Sequence, residues 1–272
     1  MRNIANRLWA LMMGRGLVHP LDMDHSDNPP SHPELLDLLS REFSAGGYDV
    51  KAFLRELALT RTYQRSSEPP PGPSPSSAGS TEESSASPAL AVASLKSLTP
   101  EQLAWSVMQG LGIAPAVRRS ALQREKSDPR LAAIFETDAR RRLLRLAMAE
   151  DHVHEQLGWG VNAFVAQFAA AAGQPQDGTD PTVQQALFLS NGEPVQGWLN
   201  QGGDRLVGRL EALREPSAVA EELYLSLLTR RPSPDERQEV ERYLAERGKD
   251  RGPALRELAW ALLASNEFRF NH

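Results

Sequence analysis

Ser217-Ala218-Val219-Ala220-Glu221-Glu222-Leu223-Tyr224-Leu225-Ser226-Leu227-Leu228-Thr229, then Arg230-Arg231-Pro232 and Ser233-Pro234-Asp235-Glu236, is the stretch that decides the fold class. Val219, Ala220, Leu223, Leu227 and Leu228 recur at spacings that place them on one face of an α-helix. Ser233-x-x-Glu236 has the spacing of a capping box, with proline at the first helical position. Val240, Tyr243 and Leu244 continue the helical period beyond it. Pro253 opens a last helix with Leu255, Leu258, Ala259, Leu262 and Leu263 inward.

The same signals recur upstream. Thr99-Pro100-Glu101-Gln102 starts a helix that runs to about Leu111, and Asp128-Pro129 starts another with Leu131, Ile134 and Phe135. A basic helix follows through Arg140-Arg141-Arg142, ending near His152 and His154 before Gly158. Residues 160–172 read as a further helix, and Asp180-Pro181 opens one with Val183, Leu187 and Phe188 that breaks at Asn191-Gly192. Pro194 leads into another short one. Near the start, helices are expected over 3–17, 33–45 and 49–63, with Gly14 and Gly16 ending the first and Asp49 capping the third. No alternating strand pattern and no fixed-period repeat is present. The fold class is all-α, an irregular multi-helix bundle of short helices.

Composition divides the chain. Of the 23 residues from Ser66 to Pro88, 17 are Ser, Pro or Gly, and none carries a large apolar side chain. Such a segment buries too little surface to offset its ordering entropy and reads as a long disordered linker. The expected organisation is an N-terminal helical unit at 1–65, a linker at 66–97 and a C-terminal helical domain at 98–272 that packs with the first unit.

With 272 residues and 40% hydrophobic content, there is enough apolar material for a folded core. A net charge of -5, from 30 basic and 35 acidic residues, gives no global pull toward nucleic acid, so no nucleic-acid partner is expected. The chain has no cysteine, which excludes disulfides, thiolate metal sites, cysteine nucleophiles and covalent haem attachment within it. No stretch approaches the length of a membrane span. Residues 1–18 are apolar in part, but Arg2, Arg7 and Arg15 interrupt them, so they do not read as a signal peptide.

The densest cluster of possible ligands lies near the N-terminus. Pro29 and Pro30 force an extended approach to the second helix, and Ser31-x-x-Glu34 has capping-box spacing. His32 and Glu34 then sit at a helix entrance, with Asp22, Asp24 and His25 in the loop upstream. Oxygen and imidazole donors of this kind suit Zn²⁺, Mn²⁺ or Ca²⁺, and Glu34 or a spare carboxylate would be the base for a metal-activated water. The competing account is a polar loop in which His32 and Glu34 serve the helix cap. Three further features have bland alternatives. His152 and His154 diverge if helical, and the Arg140–Arg142 run with Arg145 reads as a solvated face. Trp9, Trp105 and Trp260 belong to apolar helices and are expected in the core, whereas Trp159 and Trp198 beside loops are the binding candidates. Arg7 and Arg15 are candidates for buried pairs with Asp37 or Glu42. No nucleophile elbow, phosphate loop or dinucleotide pattern is present.

Asn6-Arg7-Leu8-Trp9, Gly14-Arg15-Gly16, Asn28 to Leu36 and Arg61-Thr62-Tyr63-Gln64 resemble the planctomycete domain-of-unknown-function 1553 family. Gln185 to Gly192, Leu223-Tyr224 through Thr229-Arg230-Arg231-Pro232 and the terminus Ala264 to His272 are similar to it as well. The resemblance implies an exported or cell-envelope protein working with an upstream partner domain, which this chain lacks, so it reads as a truncated copy. It carries no established activity. The function expected is therefore an auxiliary or interaction module of a cell-envelope or secreted assembly. The alternative is a metal-assisted hydrolase of carbohydrate or ester using the Asp22–Glu34 loop. A third possibility is a haem-associated accessory whose partner supplies the haem ligands.

Overall fold

The structure, a computed structural model, describes residues 1–67, 93–127, 139–169, 182–200, 202–248 and 250–271. The chain forms two compact units, Met1–Lys96 with Asn271–His272, and Ser97–Phe270. Helices dominate both, as the apolar periodicity requires. The extended pairing among the described residues is a two-stranded ladder of Lys96–Ser97 and Phe270–Asn271, with two residues in each strand. The expected disordered linker falls largely on residues 68–92, and the helix expected from Asp128 falls on 128–138. Both lie outside the described residues.

In the first unit α1 (Arg2–Met13) packs on α2 (Pro33–Ala45) and α3 (Val50–Ala58). Trp9, Leu36, Leu39, Phe43, Phe53 and Leu57 form its core with Ala5, Leu17 and Val18. The first helix stops at Met13 rather than 17. Gly14 adopts φ 86°, the left-handed cap that glycine takes without steric cost, and donates its N–H to Ala10 O at 2.8 Å. Asp49 caps α3 as expected, accepting from Ala52 N–H at 2.9 Å, but α3 ends at Ala58 rather than 63. The capping box expected at Ser31 does not form. Pro33 occupies the first turn and makes His32 the N-cap, with no side-chain cap bond, while the Ser31 hydroxyl meets His32 Nδ1 at 3.1 Å.

The second unit holds α4 (Pro100–Gly110), α5 (Ile113–Ser127), α6 (Ala139–Phe168), α7 (Val183–Asn191) and α8 (Glu193–Leu199). It continues through α9 (Leu206–Ala212), α10 (Pro216–Leu228), α11 (Pro234–Arg247), α12 (Arg251–Leu263) and α13 (Asn266–Arg269). Leu223, Val219 and Ala220 of α10, with Leu255, Ala259 and Leu263 of α12, are fully buried in its core. Both expected capping boxes are present. Thr99 Oγ1 accepts from Gln102 N–H at 3.2 Å, and Gln102 Oε1 accepts from Thr99 N–H at 2.9 Å. Ser233 and Glu236 exchange the same pair at 3.3 and 2.7 Å. A further box caps α7 from Thr182 and Gln185.

Helix α6 departs most from expectation. The segments read separately as a basic helix ending near His154 and a helix from 160 are one helix of 30 residues, running through Gly158, Trp159 and Gly160. A Cβ on Gly160 would lie 2.8 Å from Trp198 Cζ2, so the glycine lets a buried indole pack against the helix backbone. That contact outweighs the ordinary cost of glycine in a helix interior, about 1 kcal/mol. Two other helices lack a clear signal in the sequence. Pro115 sits in the first turn of α5, where proline is tolerated, and α9 is only 7 residues long.

Candidate functional site

In the N-terminal loop Asp22, Asp24, His25 and His32 each have a protein partner. Asp22 Oδ1 accepts from the Arg7 guanidinium, and this hydrogen bond holds the Asp22 carboxyl below its usual range. Asp24 faces Arg2 Nε at 3.4 Å, and Arg2 also donates to Asp37. His25 Nδ1 accepts from Asp27 N–H at 3.2 Å, His32 Nδ1 meets Ser31, and Glu34 stands in the first turn of α2. The arginine pairs of this unit therefore differ from the buried ones expected. Arg2 rather than Arg7 reaches Asp37, and Arg7 reaches Asp22, both at the surface. Among the described residues no three His, Asp or Glu side chains gather as a metal ligand set.

The loop is braced from beneath. Asn6, 1% exposed, donates from Nδ2 to Val18 O at 2.9 Å and accepts Val18 N–H on Oδ1 at 3.0 Å. Both backbone groups of a buried residue are thereby satisfied by one amide side chain, which suits asparagine's paired acceptor and donor. A Cβ on Gly16 would lie 2.4 Å from Val18 O, so only glycine permits this approach. Asn28 Nδ2 closes the loop on Met23 O at 2.8 Å.

The second unit contains a groove of about 510 Å³. Helix α4 supplies Trp105, Ser106 and Gln109 to it, α5 supplies Arg118 and α6 supplies Glu150 and His154. These come together because i,i+4 pairs on neighbouring helices stack one above the other. Arg118 grips Glu150 with both Nε and a terminal nitrogen, the latter at 2.9 Å, and this bond lowers the carboxyl pKa and raises that of the guanidinium. His154 meets the Trp105 ring edge-on at 4.5 Å. His152 points elsewhere, lining a separate cleft of about 400 Å³ with Arg124, Met148, Asp151 and Glu155. The two histidines thus diverge as a helix demands.

The tryptophans sort differently from expectation. Trp9 is core, and Trp105 and Trp260 are half-buried, with Trp260 Nε1 donating to Leu189 O at 3.0 Å. Trp198, read as a binding candidate, is buried against Phe164, whereas Trp159 is 54% exposed. Helix α6 also carries Leu143, Leu144, Leu146 and Met148 to the surface, with 67, 56, 45 and 41% exposure. Further along, the helix buries Ala149, Val153 and Leu157.

A family model described as PSD1, protein of unknown function (DUF1553), matches residues 1–244. The chain belongs to that family. No match was found among curated proteins or among solved structures. The stretches that resemble DUF1553 proteins coincide with the fastening points of the fold. Asn6 and Gly16 lock the first loop, and Gly14 ends α1. Lys96 Nζ lies 5.5 Å from the Tyr63 ring and donates to the last carbonyls of α1, at Leu11 and Met12, while burial depresses its pKa. Gly192 passes too close to Phe188 O for a side chain, with a Cβ distance of 2.3 Å. Arg230 clamps two carboxylates at once, Glu236 of α11 and Glu267 of α13, through four donated hydrogen bonds of 2.5–2.8 Å. No helix among the described residues is long and apolar enough to cross a membrane.

Proposed function

We propose that this DUF1553 chain is a non-catalytic interaction module, an auxiliary part of a cell-envelope or secreted assembly. The observation that carries the reading is the apolar exposure of the first turns of α6. Four large apolar side chains, Leu143, Leu144, Leu146 and Met148, reach solvent within two turns, a concentration that marks contact surfaces. Arg142 is exposed among them, so the complementary partner surface is apolar with an acidic margin. The arginine pairing of Asp22 and Asp24 also favours this reading over metal-assisted hydrolysis.

The test is co-purification from the native host of tagged wild-type chain and a Leu143→Asp/Leu144→Asp variant. Both positions are exposed, so the variant should keep its helicity and melting temperature. The expected result is a partner retained by the wild type and lost by the variant. A wild-type chain that elutes alone as a stable monomer, indistinguishable from the variant, would overturn the proposal.

A further inference from the structure

We propose that the first turns of α6 take up an acidic amphipathic helix of a partner protein, packed as a third rod beside α5 and α6. This rests on the interaction-module reading and names the kind of segment the module holds. Three observations support it. First, the core-facing line of α6 runs past the end of the core. Leu146, Val153, Leu157 and Phe164 stand seven, four and seven residues apart, which places them on one face of the helix. Val153, Leu157 and Phe164 are buried, yet Leu146 is 45% exposed and Leu143, about one turn before it, is 67% exposed. Helix α5 flanks this stretch, where Arg145 Nη2 donates to Leu122 O at 3.0 Å, but it leaves the line open.

Second, the surface selects an occupant that satisfies its own backbone. Leu143 and Leu146 offer only carbon, and the main chain around them is bonded within α6. An extended segment laid there finds no partner for its amides, at about 1–3 kcal/mol for each group left unpaired away from water. A helix pairs those groups internally and meets the line with side chains three and four residues apart. The length agrees. Residues 139–149 span about 16 Å, three turns of helix.

Third, the charge beside the line is positive. Arg142 stands four residues before Leu146, exposed and with no carboxylate partner among the described residues. A glutamate or aspartate flanking the partner's apolar stripe supplies the counter-charge. An anionic bilayer would also answer Arg142. It would be repelled, however, by Asp151 and Glu155, which are exposed further along the same helix.

The experiment uses the full chain with ¹³C-labelled leucine methyl groups, following Leu143 and Leu146, whose resonances are assigned by their loss in Leu143→Met and Leu146→Met. The first probe is a capped peptide of two Glu-Ile-Ala-Ala-Leu-Glu-Glu repeats. The others are its counterpart with lysine in place of glutamate, and vesicles of phosphatidylcholine and phosphatidylserine in equal amounts. The glutamate peptide is expected to move both resonances saturably and to gain helicity, and the vesicles to leave them in place. The lysine peptide should bind about fivefold more weakly, the worth of one exposed ion pair, and Arg142→Glu should reverse that order. Leu146→Asp should abolish binding. Leu143→Ser, at the more exposed position, should weaken it while the circular-dichroism spectrum stays that of the wild type, so the test stands even if Leu146→Asp fails to fold. No saturable shift with the glutamate peptide, equal or tighter binding of the lysine peptide, unchanged affinity in Leu143→Ser, or a response to the vesicles alone would each overturn the proposal. A native partner lost by the Leu143→Asp/Leu144→Asp variant, with no response to the glutamate peptide, would leave the interaction module standing and remove the helix.

Discussion

Replacing Arg230 with alanine removes the residue that joins α11 to α13. In the native protein its guanidinium donates at 2.8 and 2.7 Å to Glu236 and at 2.5 and 2.7 Å to Glu267, and its plane lies 5.2 Å from the Tyr224 ring centre. These bonds hold the Glu236 carboxyl down to about 2, helped by Ser233 N–H at 2.7 Å. Against an ordinary glutamate value that depression corresponds to roughly 3 kcal/mol if undiminished. The three side chains are 39, 30 and 32% exposed, however, so screening reduces it. Leaving two carboxylates facing one another without a cation works in the opposite direction. The expected loss is about 2 kcal/mol at neutral pH, a large part of a domain's stability. The pH dependence has a definite sign. Glu236 is depressed in the folded state, so its contribution is complete above the unfolded glutamate value near 4.5 and fades as pH falls toward about 2. Urea unfolding of wild type and Arg230→Ala, from pH 7 down to pH 3, should therefore show two curves that approach each other below pH 4.5. A difference under about 0.5 kcal/mol at pH 7, or one that does not shrink in acid, would refute the reasoning.

Asn6→Ala should lower stability by about 2–3 kcal/mol in urea unfolding, because Val18 N–H and C=O would lose their partners away from water. Gly160→Ala, good for helix propensity alone, should destabilise by about 1–3 kcal/mol in thermal melts, since its Cβ would meet the buried Trp198 ring. Elemental analysis after chelator-free purification should find substoichiometric metal, and EDTA should leave the melting temperature unchanged, because Asp22 and Asp24 are paired with arginines.

The helical architecture is legible wherever the signal is local. Thr99, Ser233 and Asp49 act as caps because a hydroxyl or carboxylate needs only the next three residues to find its backbone N–H. The leucine stripe of α10 is equally local, since burial on one side sets its period. Ser31 misleads because a proline two residues on fixes the start of α2 and moves the cap to His32. Helix α6 hides behind Gly158 and Gly160, and at Gly160 the small residue serves the packing of Trp198, distant in sequence. For the same reason Trp198 reads as a loop residue but lies in the core. The loop aspartates are legible as a cluster, but their engagement by Arg2 and Arg7 depends on how α1 lies against that loop. The groove is the least legible feature. Trp105, Arg118 and His154 come from three helices, and nothing in their separate surroundings announces that they meet.

Site-specific photo-crosslinking in the native host tests the function most directly, with the reactive residue placed at Leu144 on α6 or, as a control, at exposed Glu239 on α11. A contact surface predicts a discrete adduct with one partner from position 144 and none from position 239. The absence of an adduct at 144, or the same adducts at both positions, would contradict it.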